Sequence, residues 1–138
     1  MTRPFKIPVS VLVVIHRRNG EVLLIERADH PGYWQSVTGS LDRADEPLEQ
    51  TARREVAEEV GLEVGELTYV GSEHWGLNGP NMLLSVFTAE VLDPQAEPRV
   101  DGREIAEARF FPVDALPENR IPDYTITGRV LCSLRDLG

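Results

Sequence analysis

Three acidic residues, Glu55, Glu58 and Glu59, stand at i, i+3 and i+4 in a stretch that carries apolar residues at Leu48, Ala52, Val56 and Val60. Apolar side chains recurring every four residues mark a helix face turned to a core. The three carboxylates then gather on an adjoining face, because residues three and four apart are neighbours on a helix surface. Two carboxylates about 6 Å apart repel by roughly 3 kcal/mol at an effective dielectric of 20. Arg54 can reach Glu58 across one turn, whereas Arg53 lies on another part of the helix, so local pairing does not plainly remove the repulsion. A divalent cation would turn that repulsion into a site, since hard Mg²⁺ takes carboxylate and carbonyl oxygens plus water. Taken alone, three glutamates on a helix are usually a solvated face. The surrounding order changes the reading.

A short strand, Trp34 to Thr38, ends at Gly39, and a loop leads through Glu46 to a helix from about Pro47 to Val60. Proline is well tolerated at the first helical position, and Gly61 stands where a left-handed C-terminal cap is expected. A turn at Gly39 can aim a backbone carbonyl at a cation, with glycine permitting the close approach. Glu46 suits the positive end of the helix dipole. Val9 to Ile15 reads as a buried strand and Glu21 to Glu26 as its partner, joined by the turn signal Asn19-Gly20. Leu67 to Ser72, Leu83 to Val91 and Ala108 to Phe111 read as further strands, and Pro94 to Gly102 as a polar loop. Tyr124 to Leu137 reads as a terminal helix packed through Ile126, Val130, Leu131 and Leu134. Strands interrupted by two well-separated helices predict an α/β protein with a mixed sheet covered by helices.

Residues 39–62 resemble the Nudix box, in which Gly, Glu, Arg-Glu, Glu-Glu and Gly stand at fixed spacing. From Glu46 onward the match is complete: seven residues, then Arg54-Glu55, an apolar Val56, Glu58-Glu59, Gly61 and an apolar Leu62. Six residues separate Gly39 from Glu46, one more than is usual in the family, which lengthens the loop and leaves the helix glutamates untouched. The resemblance implies the family's α/β/α sandwich across residues 1–138 as a single domain. It implies Mg²⁺ as cofactor, with Mn²⁺ able to substitute, and Gly39, Glu55, Glu58, Glu59 and a loop glutamate as metal ligands. On the same ground Arg54 orients a glutamate through a salt bridge, Glu46 supports the site, and one of the glutamates also handles the proton of water.

The loop acid is sought in Asp101 to Glu107, ahead of the Ala108–Phe111 strand, and counting back from Val113–Pro117 favours Glu104 over Glu107. Arg27 could meet a substrate phosphate, for which guanidinium is suited, or pair with Glu26 or Asp29. Trp34 and Trp75 could stack on a base or pterin ring, although core packing is the commoner role of such residues. His16, His30 and His74 lack ligand-like spacing. Phe5–Ser10 and Tyr33–Ser40 are similar to dihydroneopterin triphosphate diphosphatases, a likeness that would place Lys6 and Arg27 near a triphosphate. Glu104–Phe111 instead looks like the tail of NADH pyrophosphatases and related Nudix enzymes, without their zinc-binding cysteines.

The 138 residues suit one main core, and 41% hydrophobic with 27% charged is ordinary for a globular protein. A formal net charge of -9 disfavours a nucleic-acid backbone but not a small phosphorylated substrate, since bound cations can reverse the local sign. Val11 to Ile15 is too short to span a membrane, and Met1 to Pro8 carries charge and proline ahead of any apolar run, unlike a secretory start. Cys132 is the sole cysteine, so an internal disulfide is impossible. The expectation is a cytoplasmic monomer or homodimer that hydrolyses a diphosphate linkage in a nucleoside triphosphate or similar small triphosphate, dihydroneopterin triphosphate included. The alternatives are a dinucleotide or nucleotide-sugar diphosphatase of the NADH or ADP-ribose type, and a non-catalytic nucleotide-binding sensor. A purely structural interaction domain leaves the glutamates unexplained.

Overall fold

The computed structural model describes residues 9–41, 45–75, 82–120 and 125–137. Strand β1 (Val9–His16) is apolar on both sides because both sides are covered. Val11, Val13 and Ile15 enter one core cluster, while Leu12 and Val14 enter another. One edge of β1 pairs in parallel with β6 (Met82–Glu90), from Val9↔Leu83 to His16↔Glu90. β5 (Thr68–Trp75) lies antiparallel outside β6. The turn at Asn19-Gly20 forms as its sequence implies, with Gly20 at φ 92 and its N–H donated to the Arg17 carbonyl at 3.1 Å.

The other edge of β1 is shared, and this creates the cleft. β2 (Glu21–Arg27) pairs with β1 beside the turn, at His16↔Val22. Further along, β4 (Val37–Ser40) occupies that edge, from Ser10↔Ser40 to Val13↔Val37. β3 (Trp34–Gln35) stays on β2, while β7 (Ile105–Pro112) runs along the length of β2. A strand has only two edges for hydrogen bonding, so β2 must part from β1 where β4 enters. The single strand expected over Trp34 to Thr38 is therefore two: the chain crosses at buried Ser36 from one arm of the sheet to the other.

Helix α1 (Leu48–Val60) covers one face. Ala52, Val56 and Val60 are fully buried against Val11, Val13, Ile15, Leu23 and Ile25. Pro47 is the N-cap, at φ −60 and ψ 143, rather than the first helical residue. Gly61 closes the helix at φ 66, donating its N–H to the Ala57 carbonyl at 3.1 Å, a conformation that costs other residues more than glycine. Helix α2 (Ile126–Leu137) covers the opposite face through Leu131, with Ile126, Val130 and Leu134 half-buried beside Leu12, Val14, Leu84 and Val86. Thr125 caps it, its hydroxyl accepting the Gly128 N–H at 2.9 Å. Each such apolar side chain removed from water stabilises the fold by roughly 1.5–3 kcal/mol. A mixed sheet with one helix on each face is the α/β/α sandwich expected from the sequence. Tyr124, the expected helix start, lies outside the described residues, and β5 and β7 extend beyond their expected limits, to Trp75 and to Ile105 and Pro112, through backbone pairing.

Candidate active site

The splayed sheet opens on a cleft of about 640 Å³. Ser10, Leu12, Thr38, Gly39, Ser40 and Leu84 line it from the β1 arm, and Arg27, Tyr33, Gln35 and Glu104 from the β2 arm. Glu55, Glu58 and Glu59 enter from α1. Those three glutamates also share a smaller recess, of about 100 Å³, with Asp101, Glu104 and Ile105.

Glu55 is buried against Gly39: a Cβ built there would stand 2.1 Å from the Glu55 Cγ and Cδ. Glycine is required at that position because a carboxylate occupies the space of a side chain. Arg54 organises the helix acids. Its Nε and Nη2 donate to Glu46 at 3.3 and 3.0 Å, and its Nη1 to Glu55 at 3.1 Å and exposed Glu58 at 3.5 Å. The Glu46 carboxylate, first among its anionic neighbours, raises the Arg54 pKa and keeps the guanidinium charged.

Glu59 is treated differently. Its Oε2 is buried with no hydrogen-bond partner among the described residues. Burial, then the charge of Glu55, push its pKa up to about 8; Arg27 opposes this, while Glu104 and Glu58 add to it. A hard cation suits such an acceptor, since the acidic recess offers oxygen ligands and lacks neutralising charge. The carboxylates do not already converge as a ready-made ligand set among the described residues; Glu55 and Glu58 are turned to Arg54 instead.

Glu104 lines both cavities, whereas Glu107 sits opposite Glu26 in the β2–β7 ladder and pairs with Arg109. A register shift between Glu26 and Arg27, with the Ala28 N–H donated to the Glu104 carbonyl at 2.9 Å, brings Arg27 and Glu104 to one cleft. Asp101, given no role by the sequence, gathers the N–H groups of Arg103, Glu104 and Ile105 on its Oδ1 at 2.9, 3.2 and 3.5 Å. Those bonds lower its pKa, the Arg103 N–H most. Arg27 both lines the cleft and pairs with Asp29, at 3.2 Å.

Trp34 does not line the cleft. Its ring packs edge-on against Phe111, centroids 5.0 Å apart, and its strand neighbour Gln35 takes the cleft position. Successive strand residues face opposite ways, a signal by which sequence reasoning could have chosen Gln35. Tyr33 also faces the cleft, and His30 stacks edge-on against it at 5.0 Å. Lys6 lies outside the described residues.

The split sheet of this three-layer sandwich thus opens on a helix that carries three carboxylates. The NUDIX domain model matches residues 6–132, and the chain belongs to the Nudix family. Among relatives, an NAD-capped RNA hydrolase NudC of Pseudomonas aeruginosa is 39% identical over 107 residues, covering 77% of this chain and 37% of that protein. The chain thus spans well under half the length of the relative. The MutT Nudix hydrolase of Burkholderia pseudomallei superposes with a TM-score of 0.74 at 27% identity, over 92% of this chain and 96% of that one. The E. coli dihydroneopterin triphosphate pyrophosphohydrolase shares the fold, with a TM-score of 0.75 at 23% identity over 99% of this chain and 100% of that one. Among the described residues no helix is long and apolar enough to cross a membrane.

Proposed function

We propose that the protein hydrolyses the diphosphate linkage of a small dinucleotide-type substrate, using a divalent cation, Mg²⁺ with Mn²⁺ as substitute, held by Glu55, Glu58, Glu59 and Glu104. The observation that carries this reading is that those four residues line one recess, where the Glu59 Oε2 is buried without a hydrogen-bond partner among the described residues. A cation there supplies charge neutralisation for the diphosphate and acidifies water. Arg27, at the cleft wall, is placed to fork onto a phosphate. Burial and Glu55 raise the Glu59 pKa to about 8 in the absence of a cation, so this carboxyl would release its proton on ligating one. Gly39 admits the Glu55 carboxylate, and Arg54 with Glu46 orients it.

Likeness to a protein named for NAD-capped RNA favours a dinucleotide linkage, while a net charge of -9 argues against holding the RNA body. The second reading is a nucleoside triphosphate or dihydroneopterin triphosphate, favoured by the Tyr33–Ser40 segment, whose Tyr33 and Gln35 line the cleft. A non-catalytic sensor has no chemical need for all four acids.

Turnover should vanish with a chelator and return with Mg²⁺ or Mn²⁺, in a screen of dinucleotides, nucleotide sugars, nucleoside triphosphates and pterin triphosphate with products weighed by mass spectrometry. Undiminished turnover at verified negligible metal would sink the mechanism. Triphosphates turned over far faster than dinucleotides would promote the second reading.

A further inference from the structure

Thr51 carries no recognised role in the chemistry, yet it is fully buried on the same side of α1 as Glu55, one turn away. Its hydroxyl donates to Glu46 Oε1 at 2.7 Å. The competing acceptor, the Pro47 carbonyl one helical turn back, is farther, at 3.4 Å. One hydroxyl has one proton, and the shorter bond to a charged carboxylate is the stronger.

The Glu46 side chain, only 8% exposed, is therefore fixed from two sides, by Thr51 and by two nitrogens of Arg54. Two arms of the Arg54 fork are thereby committed to Glu46, while Nη1 touches Glu55 and Glu58. A guanidinium released from Glu46 would turn its full fork onto those two carboxylates and compete with any cation for them.

We propose that Thr51 is a positioning residue: by holding Glu46 it retains Arg54, and so keeps Glu55 and Glu58 available to a cation. The inference rests on the cation-dependent reading above. It is tested with Thr51→Val, which keeps shape and removes the hydroxyl, and Thr51→Ser, which restores it. Mn²⁺ binding by calorimetry, kcat, KM and the thermal midpoint are measured for both variants and wild type.

Thr51→Val should bind Mn²⁺ about tenfold more weakly and lose kcat in similar proportion, the scale of other groups that orient metal ligands, with KM changed less than about twofold. Thr51→Ser should recover both. Should the valine variant not fold, Thr51→Cys, with only a weak donor, takes its place under the same expectations. Wild-type Mn²⁺ affinity in Thr51→Val, whatever its thermal midpoint, would show a merely structural hydroxyl and overturn the inference alone. No Mn²⁺ binding by the wild-type protein would overturn the cation reading and this inference with it.

Discussion

The two sides of helix α1 are built from the same thirteen residues to opposite ends. On one side Ala52, Val56 and Val60 are sealed against the sheet, where every contact is apolar and nothing awaits a partner. On the other, Glu55, Glu58 and Glu59 crowd negative charge at the rim and floor of a cleft, restrained by one arginine. Packing on the first side stabilises the molecule; the second is tolerated at some cost in stability. Stability and chemistry are separable here because a helix divides its neighbours by angle, so residues adjacent in sequence, such as Glu55 and Val56, serve different environments.

Substitutions that exchange the two kinds of environment test this contrast. The largest effect is expected from Val56→Asp, which buries a charge in the apolar side. A loss of about 4 kcal/mol, at the upper end for single substitutions, comes close to the whole stability of a small domain, and thermal or urea unfolding would show it.

Glu58→Gln and Glu59→Gln should do the reverse. Each keeps side-chain size and most helix propensity, and each relieves repulsion, so the metal-free midpoint should stay equal or rise slightly. Turnover at saturating Mg²⁺ should fall at least about a hundredfold, the scale of about 2.7 kcal/mol of lost transition-state stabilisation. If both variants unfold, or both retain full activity, the acidic side is structural and the contrast collapses.

The two acids near the start of β7 sharpen the comparison away from the helix. Glu104→Gln should reduce turnover by roughly 10- to 100-fold, as losing a metal-site group commonly does, while Glu107→Gln leaves it nearly unchanged. Both should fold, since Glu104 is exposed on the protein surface and Glu107 only half-buried. The reverse ranking in steady-state kinetics would show that the wrong acid had been placed at the cleft.

A further effect is expected on the pH dependence of stability. Glu59 is raised from 4.5 to about 8 by burial first, then by Glu55. Between those two values the folded protein binds a proton that the unfolded chain has released, so stability must fall as pH rises through the window and level off above about 8. Thermal midpoints of the metal-free protein should therefore be higher at the acid end of that window than at its alkaline end, and Glu59→Gln should flatten this part of the profile. An unchanged slope in that variant would assign the titration to another group.

Much of this was legible before folding was considered. The four-residue apolar recurrence, the glycine cap and the clustering of Glu55, Glu58 and Glu59 are local, because helical spacing alone determines which side chains share a face. The Asn19-Gly20 turn and the apolar stripe of α2 follow from equally short-range rules. Less legible was the Trp34–Thr38 segment. Its alternation looks like one strand, and only competition between β2 and β4 for the same edge of β1 breaks it at Ser36 and turns Gln35 rather than Trp34 to the cleft.

The sequence by itself determined α1, its glycine C-cap and which acids ride together on it, since each depends on residues no more than one or two turns apart. Tertiary structure decided what those acids meet. Gly39 lies under Glu55 because β4 is drawn onto β1. Glu104 joins them because β7 shifts register against β2 at Arg27. Glu59, facing a cleft lined from both arms of the sheet, keeps a buried oxygen with no partner among the described residues. Those outcomes turn on pairing between segments far apart in the chain, where a shift of one residue moves a side chain to the opposite face, and no local pattern records which register will be taken.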